Sequence, residues 1–155
     1  MTQAEWRERL SEPEVRAITE LVTAATEADG VAPLSEHVML HLSHGGDTGA
    51  ANLLLRAGGQ LVGYAHLDAT DSVAGASGEV VVHPAYRQQG HGREMVDELR
   101  RHSGDGRLRL WAHGHHPAAQ ALAHHAGFAR TRVLWQMRRS LLAPVPAPRW
   151  PAGVT

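Results

Sequence analysis

Val80-Val81-Val82-His83-Pro84-Ala85-Tyr86-Arg87-Gln88-Gln89-Gly90-His91-Gly92-Arg93 is the stretch on which the reading of this 155-residue chain turns. Its three β-branched valines, preceded by Glu79, describe a buried strand. After His83-Pro84 the apolar positions change to helical spacing, with Met95, Val96 and Leu99 facing inward. A strand that ends in a glycine-bearing turn and opens a helix gathers free backbone N–H groups at the positive end of a helix dipole. Gly90 and Gly92, lacking Cβ, let a phosphate approach that backbone closely. The same pattern also serves as a plain tight connection, so spacing alone leaves both readings open.

Upstream, Ser11-Glu12-Pro13-Glu14 forms a capping box with proline in the first turn. The helix it starts carries Val15, Ile18, Leu21 and Val22 on one face and stops near Asp29-Gly30. Ser35 caps a second short helix through Leu42, and His44-Gly45-Gly46-Asp47 reads as loop. Asn52–Ala57 and Gln60–Leu67 flank Gly58-Gly59, a hairpin signal. Small residues from Thr70 to Gly78 read as a loop before the valine strand. Downstream come a strand at Leu108–Trp111, a helix opened by Pro117 with Ala118, Leu122 and Ala126 inward, and a last strand at Val133–Met137. Two helices, a hairpin and strand–helix–strand–helix–strand predict an α/β fold: a central mixed β-sheet flanked by helices.

Composition bounds the function. With 43% hydrophobic and 20% charged residues the chain is globular. A formal charge of −1 offers no basic field for nucleic acid or an anionic membrane. No apolar run approaches about 18 residues, and Met1–Leu10 carries charges where an export signal is apolar, so a cytoplasmic protein is expected. Cysteine is absent, which excludes disulfides and thiolate chemistry within the chain. The 12 histidines crowd at His113, His115, His116, His124 and His125. Their spacing matches neither HExxH nor a zinc finger, and the chain also prefers Arg over Lys throughout, so compositional bias is expected rather than a metal site.

Arg87-x-x-Gly90-x-Gly92, with its preceding strand, resembles the R/Q-x-x-G-x-G/A signature of the GNAT (acyl-CoA N-acyltransferase) superfamily. Leu122…Gly127-Phe128 resembles that family's L-Y-x-x-x-G-F segment. The resemblance implies acetyl-CoA as cofactor, with no metal. It assigns Val80, Val81 and Val82 to the pantetheine arm, and Gln88, Gln89, Gly90, His91, Gly92 and Arg93 to the pyrophosphate.

Asp29-Gly30-Val31-Ala32-Pro33 with Glu36, Trp111-Ala112-His113-Gly114 and Gln136-Met137-Arg138-Arg139 resemble the first domain of the mycothiol synthases, tandem GNAT enzymes. That family acetylates the cysteinyl amine of cysteine–glucosamine–inositol. The resemblance implies a second GNAT domain in cis and a substrate contact at Glu36. Read from spacing alone, Glu36 is a solvated carboxylate favoured by a helix dipole. Residues 1–141 would be the acetyl-CoA-binding domain. The proline-rich 142–155 would be a linker reaching toward the absent second domain.

Acetyl transfer needs a base for the ammonium proton, and usually a tyrosine for the leaving thiolate. By resemblance the tyrosine position falls on Ala123, so that hydroxyl is missing. Tyr64 is expected to pack the sheet and Tyr86 to cover the loop. Glu79 is a candidate base, equally explained as a solvated strand-end carboxylate; His113 and His116 are weaker candidates. Three readings follow: a mycothiol synthase half that binds acetyl-CoA while the other half transfers, a stand-alone N-acetyltransferase of another amine, and a non-catalytic acetyl-CoA-binding module.

Overall fold

In the computed structural model, which describes residues 1–44, 49–149 and 152, the chain enters through a strand, β1 (Thr2–Arg7). It turns into helix α1 (Glu12–Asp29) at the expected cap: Glu14 reaches back to accept from the Ser11 amide at 2.7 Å. Gly30, at φ 69°, ends the helix by donating to the Thr26 carbonyl. Helix α2 (Glu36–Ser43) follows its Ser35 cap. The hairpin forms as β2 (Ala50–Ala57) and β3 (Gln60–Asp68). Then come β4 (Ala76–Val82), α3 (His91–His102), β5 (Leu108–Trp111) and α4 (Pro117–His125). Gly45–Asp47 of the expected loop lie outside the described residues.

The five strands lie in chain order, antiparallel from β1 to β4, with β4 and β5 parallel around the α3 crossover. The sheet is therefore mixed and helix-flanked. Side chains alternate across it. Leu54, Leu61, Tyr64 and Val81 pack against Ile18, Leu21, Val22 and Val38 of α1 and α2. Leu53, Leu55, Ala65 and Leu67 pack against Met95 and Leu99 of α3. Two apolar cores hold one sheet between them.

Four expectations need correction. The strand β1 was not foreseen; its alternation, Ala4 and Trp6 against one core with Glu5 and Arg7 opposite, spans only four residues. β4 begins at Ala76 rather than Glu79. Its small residues are strand because the sheet is crowded there: a Cβ on Gly78 would lie 2.9 Å from the His66 carbonyl oxygen. Val133–Met137 makes no ladder, and Trp135 is 84% exposed; a strand requires a neighbour to take its backbone groups, and none of the described residues lies beside it as one. On α4 the half-buried residues are Ala119, Leu122, Ala123 and Ala126, whereas Ala118 is exposed. Residues 142–149 form neither helix nor strand, and no described helix is long and apolar enough to cross a membrane.

Candidate functional site

β4 is longer than its parallel partner, and the site follows from that difference. The β4–β5 ladder covers only Ala76–Glu79, with Glu79 opposite Trp111, where β5 stops. Val80, Val81 and Val82 continue, paired only to Ala65, Tyr64 and Gly63 of β3. Their β5-facing edge has no strand partner among the described residues, and the Val82 carbonyl on it is taken by Arg87.

Past Val82 the chain makes one tight turn at Pro84–Tyr86, stabilised by the His83 ring accepting from the Ala85 amide at 3.2 Å. The helix thus starts several residues later than the His83-Pro84 break alone suggests. Gln88 adopts φ 60° and Gly90 φ 89°, two left-handed residues that swing the backbone into α3. The first-turn amides of His91, Gly92 and Arg93 have no intrahelical acceptor, as at any helix start, and they sit at the positive end of the dipole. Gln88, Gln89, Gly90 and Arg93 are exposed, while His91 is buried.

The two glycines differ. A Cβ on Gly90 would meet nothing within 4 Å, so that side of the loop is open space. A Cβ on Gly92 would lie 3.2 Å from the Leu122 side chain, so Gly92 also lets α4 approach α3. An open backbone at Gly90, beside unpaired amides and an unpaired strand edge, fits a pyrophosphate carrying an extended arm.

Arg87 turns out to hold the loop in place. Its guanidinium makes a two-pronged ion pair with Asp29, at 2.7 and 2.8 Å, and its Nε donates to the Val82 carbonyl at 3.2 Å. The hydrogen bonds from Arg87 hold the Asp29 carboxyl below its ordinary pKa, and Asp29 in turn raises that of Arg87. His116, whose Nδ1 caps α4 through the Ala118 amide, brings its Nε2 to 3.6 Å from Asp29. The Asp29 contribution was not anticipated, because nothing local marks it beyond its place before Gly30.

Glu79 and His113 are brought together. Glu79 is only 8% exposed, and its Oε2 accepts from the Ser35 amide at 2.7 Å and contacts His113 Nε2 at 3.2 Å. Burial pushes its pKa up, but the hydrogen bonds from His113 and Ser35 outweigh that and hold it below the ordinary value. Glu79 is therefore not the solvated strand-end carboxylate that its sequence position allowed. Glu36, the exposed first residue of α2, adjoins Ser35. His113 and His116 line a cavity of about 110 Å³ with Asp29, Val31, His115 and Pro117. Among the described residues no three His, Asp or Glu side chains gather as a metal site. Tyr64 is fully buried and donates to Asn52 at 2.7 Å, while Tyr86 donates to Gln60, so both hydroxyls are engaged within the fold.

A family model described as Acetyltransferase (GNAT) domain matches residues 49–130, from β2 through α4. The chain belongs to the GNAT acetyltransferase family. This GNAT chain is 58% identical over 152 residues to the mycothiol acetyltransferase of Streptosporangium roseum, an alignment covering 98% of the chain and 45% of the relative. The GNAT fold recurs in a GCN5-related N-acetyltransferase from Sphaerobacter thermophilus, at TM-score 0.68 and 25% identity, over 97% of this chain and 51% of that one. It recurs also in an aminoglycoside N-acetyltransferase solved in complex with CoA, at TM-score 0.57 and 17% identity, over 90% of this chain and 97% of that one. The chain spans about half the length of the curated relatives it matches.

Proposed function

We propose that this chain is the acetyl-CoA-binding half of a mycothiol synthase. Val80, Val81 and Val82 offer their β5-facing edge to the pantetheine arm. The backbone from Gln88 to Arg93 takes the pyrophosphate, with Gly90 leaving it room. Acetyl-CoA, when bound, supplies the activated acetyl group as a thioester. Glu36 contributes to the site for cysteine–glucosamine–inositol, whose cysteinyl amine receives the acetyl group. A second GNAT domain in cis completes the substrate cleft and carries the main transfer, consistent with relatives about twice this length and with Ala123 having no hydroxyl to protonate the leaving thiolate. Residues 142–155 serve as the linker to it.

The unpaired β4 edge running into the open Gly90 turn is the observation that carries the cofactor reading. The 58% identity to a mycothiol acetyltransferase supports the substrate. Calorimetric titration of the chain with acetyl-CoA tests the first, and absence of binding overturns it. Linked to the remaining half of a relative, the wild type should form the N-acetylated pseudo-disaccharide, quantified by chromatography. Glu36→Ala should then weaken that substrate and leave acetyl-CoA affinity unchanged. If both affinities fall together, Glu36 is a folding residue instead.

A further inference from the structure

Glu36 stands exposed as the first residue of α2, and among the described residues no hydrogen bond or ion pair holds its carboxylate. Its direction is therefore set by the backbone that carries it, one residue after Ser35. Ser35 caps α2 by accepting from the Val38 amide at 3.4 Å, while its own amide donates to Glu79 Oε2 at 2.7 Å. Ser35 and Glu79 lie 44 positions apart, so this bond ties the start of a short helix to the sheet. The carboxylate that receives it is 8% exposed and is also met by His113 Nε2 at 3.2 Å. Elsewhere α2 is held by packing: Leu34 ahead of the cap, and Val38 and Leu42 within the helix, are buried. Apolar contact is non-directional and keeps a helix on its core without fixing its roll. A short bond to a charged acceptor is directional, and it acts on the residue next to Glu36.

We propose that Glu79 is the positioning residue for Glu36. By fixing the Ser35 amide it fixes the origin of α2, and with it the direction in which Glu36 offers its carboxylate to cysteine–glucosamine–inositol. The proposal rests on the reading of Glu36 as a substrate contact given above. Glu79 acts through the backbone and moves no proton. A contact of this kind must be held to within about 0.5 Å, which an exposed side chain achieves only if its own backbone is pinned. The place of Glu79 in the sheet adds a second consequence. It is the last rung of the β4–β5 ladder, opposite Trp111, and Val80, Val81 and Val82 follow it directly. The strand assigned to the pantetheine arm and the helix assigned to the substrate are thus aligned on one buried carboxylate.

The test uses the chain linked to the remaining half of a relative, with the N-acetylated product quantified by chromatography. Glu36→Ala comes first and should raise KM for cysteine–glucosamine–inositol about tenfold with kcat unchanged. An unchanged KM there overturns the substrate contact itself, before its positioning is in question. Given that rise, Glu79→Ala should raise the same KM by a similar factor, with kcat and acetyl-CoA affinity near wild type. Glu79→Gln, which keeps an oxygen for the Ser35 amide, should recover most of the loss. The double variant Glu36→Ala with Glu79→Ala should be no worse than Glu36→Ala alone, because a carboxylate that is absent cannot be misplaced. A merely structural role for Glu79 would instead multiply the two losses. Should Glu79→Ala fail to fold, Glu79→Asp takes its place: it keeps a charge near His113 but draws it one methylene back from the Ser35 amide, with the same expectation. A wild-type KM in these Glu79 variants, or losses that multiply in the double variant, overturns the proposal. So does a fall in acetyl-CoA affinity as large as the rise in KM, which would assign Glu79 to the cofactor strand alone.

Discussion

Arg87 and Asp29, 58 positions apart in the chain, face each other through two parallel N–H···O bonds of 2.7 and 2.8 Å. The pair ties the turn after β4 to the last residue of α1, and the fork geometry is one that only arginine supplies. Arg87→Lys should therefore behave as a loss rather than a conservative change. A double-mutant cycle with Asp29→Asn should give a coupling of about 1–2 kcal/mol in urea unfolding. Acetyl-CoA affinity should fall in the same variants, because the turn they release is the one proposed to hold the pyrophosphate. Additive effects in the cycle would show that the two residues do not act together.

The glycines at 90 and 92 should separate by experiment. Gly90→Val meets no atom of the chain, so its stability cost should be confined to the left-handed φ, about 1–2 kcal/mol, while calorimetric affinity for acetyl-CoA drops at least tenfold. Gly92→Val places its side chain against Leu122 and should lower thermal stability further by displacing α4. A pairing of Gly92→Val with Leu122→Ala should recover part of that loss. If it recovers none, the contact between α3 and α4 does not limit position 92.

His66 sets an acid sensitivity. It is 4% exposed, its Nδ1 has no hydrogen-bond partner among the described residues, and burial together with His41 on α2 pushes its pKa down to about 4. Glu79 across the strand pair and Asp68 on its own strand act the other way, without prevailing, and His37 reinforces the fall. The unfolded chain binds the proton near pH 6.5 but the folded chain only near pH 4, so between these values the unfolded state holds more protons. Stability is full above about pH 6.5 and declines as pH falls toward 4, by at most about 3 kcal/mol. His66→Gln should flatten the urea midpoint over that window. An unchanged slope would assign the sensitivity elsewhere.

Tyr64 belongs to the scaffold. Its hydroxyl donates to Asn52, whose amide donates at 3.3 Å to the Arg7 carbonyl on β1, so one buried chain of bonds spans three strands. Tyr64→Phe leaves the Asn52 acceptor unmet and should cost about 1–3 kcal/mol. Acetyl-CoA affinity should be unaffected, and a large loss of affinity with intact stability would move Tyr64 into the site.

What the sequence reveals depends on where the determining interaction lies. The start and stop of α1 were legible because Ser11, Glu14 and Gly30 act on their own turns. The hairpin was legible because Gly58-Gly59 supplies the turn that two apolar runs require. β1 was hidden, since Thr2–Arg7 holds only two apolar residues and is a strand by virtue of pairing with β2. Val133–Met137 is the converse: a sound strand pattern with no described neighbour to pair. In the site, the glycine turn was readable at once. Glu79 and His113 were each noticed singly, but 34 positions separate them and only the parallel β4–β5 ladder shows that they meet. No local signal pairs Arg87 with Asp29 for the same reason.

The shortness of β5 has a thermodynamic consequence. A ligand lying along Val80–Val82 supplies rungs that the fifth strand stops too early to provide, so it becomes in effect a removable piece of the sheet. Occupancy and cohesion of the two strand ends are then one quantity: each tenfold rise of free ligand above its Kd adds about 1.4 kcal/mol to the folded state. Binding along Val80–Val82 would therefore be read directly as a rise in melting temperature.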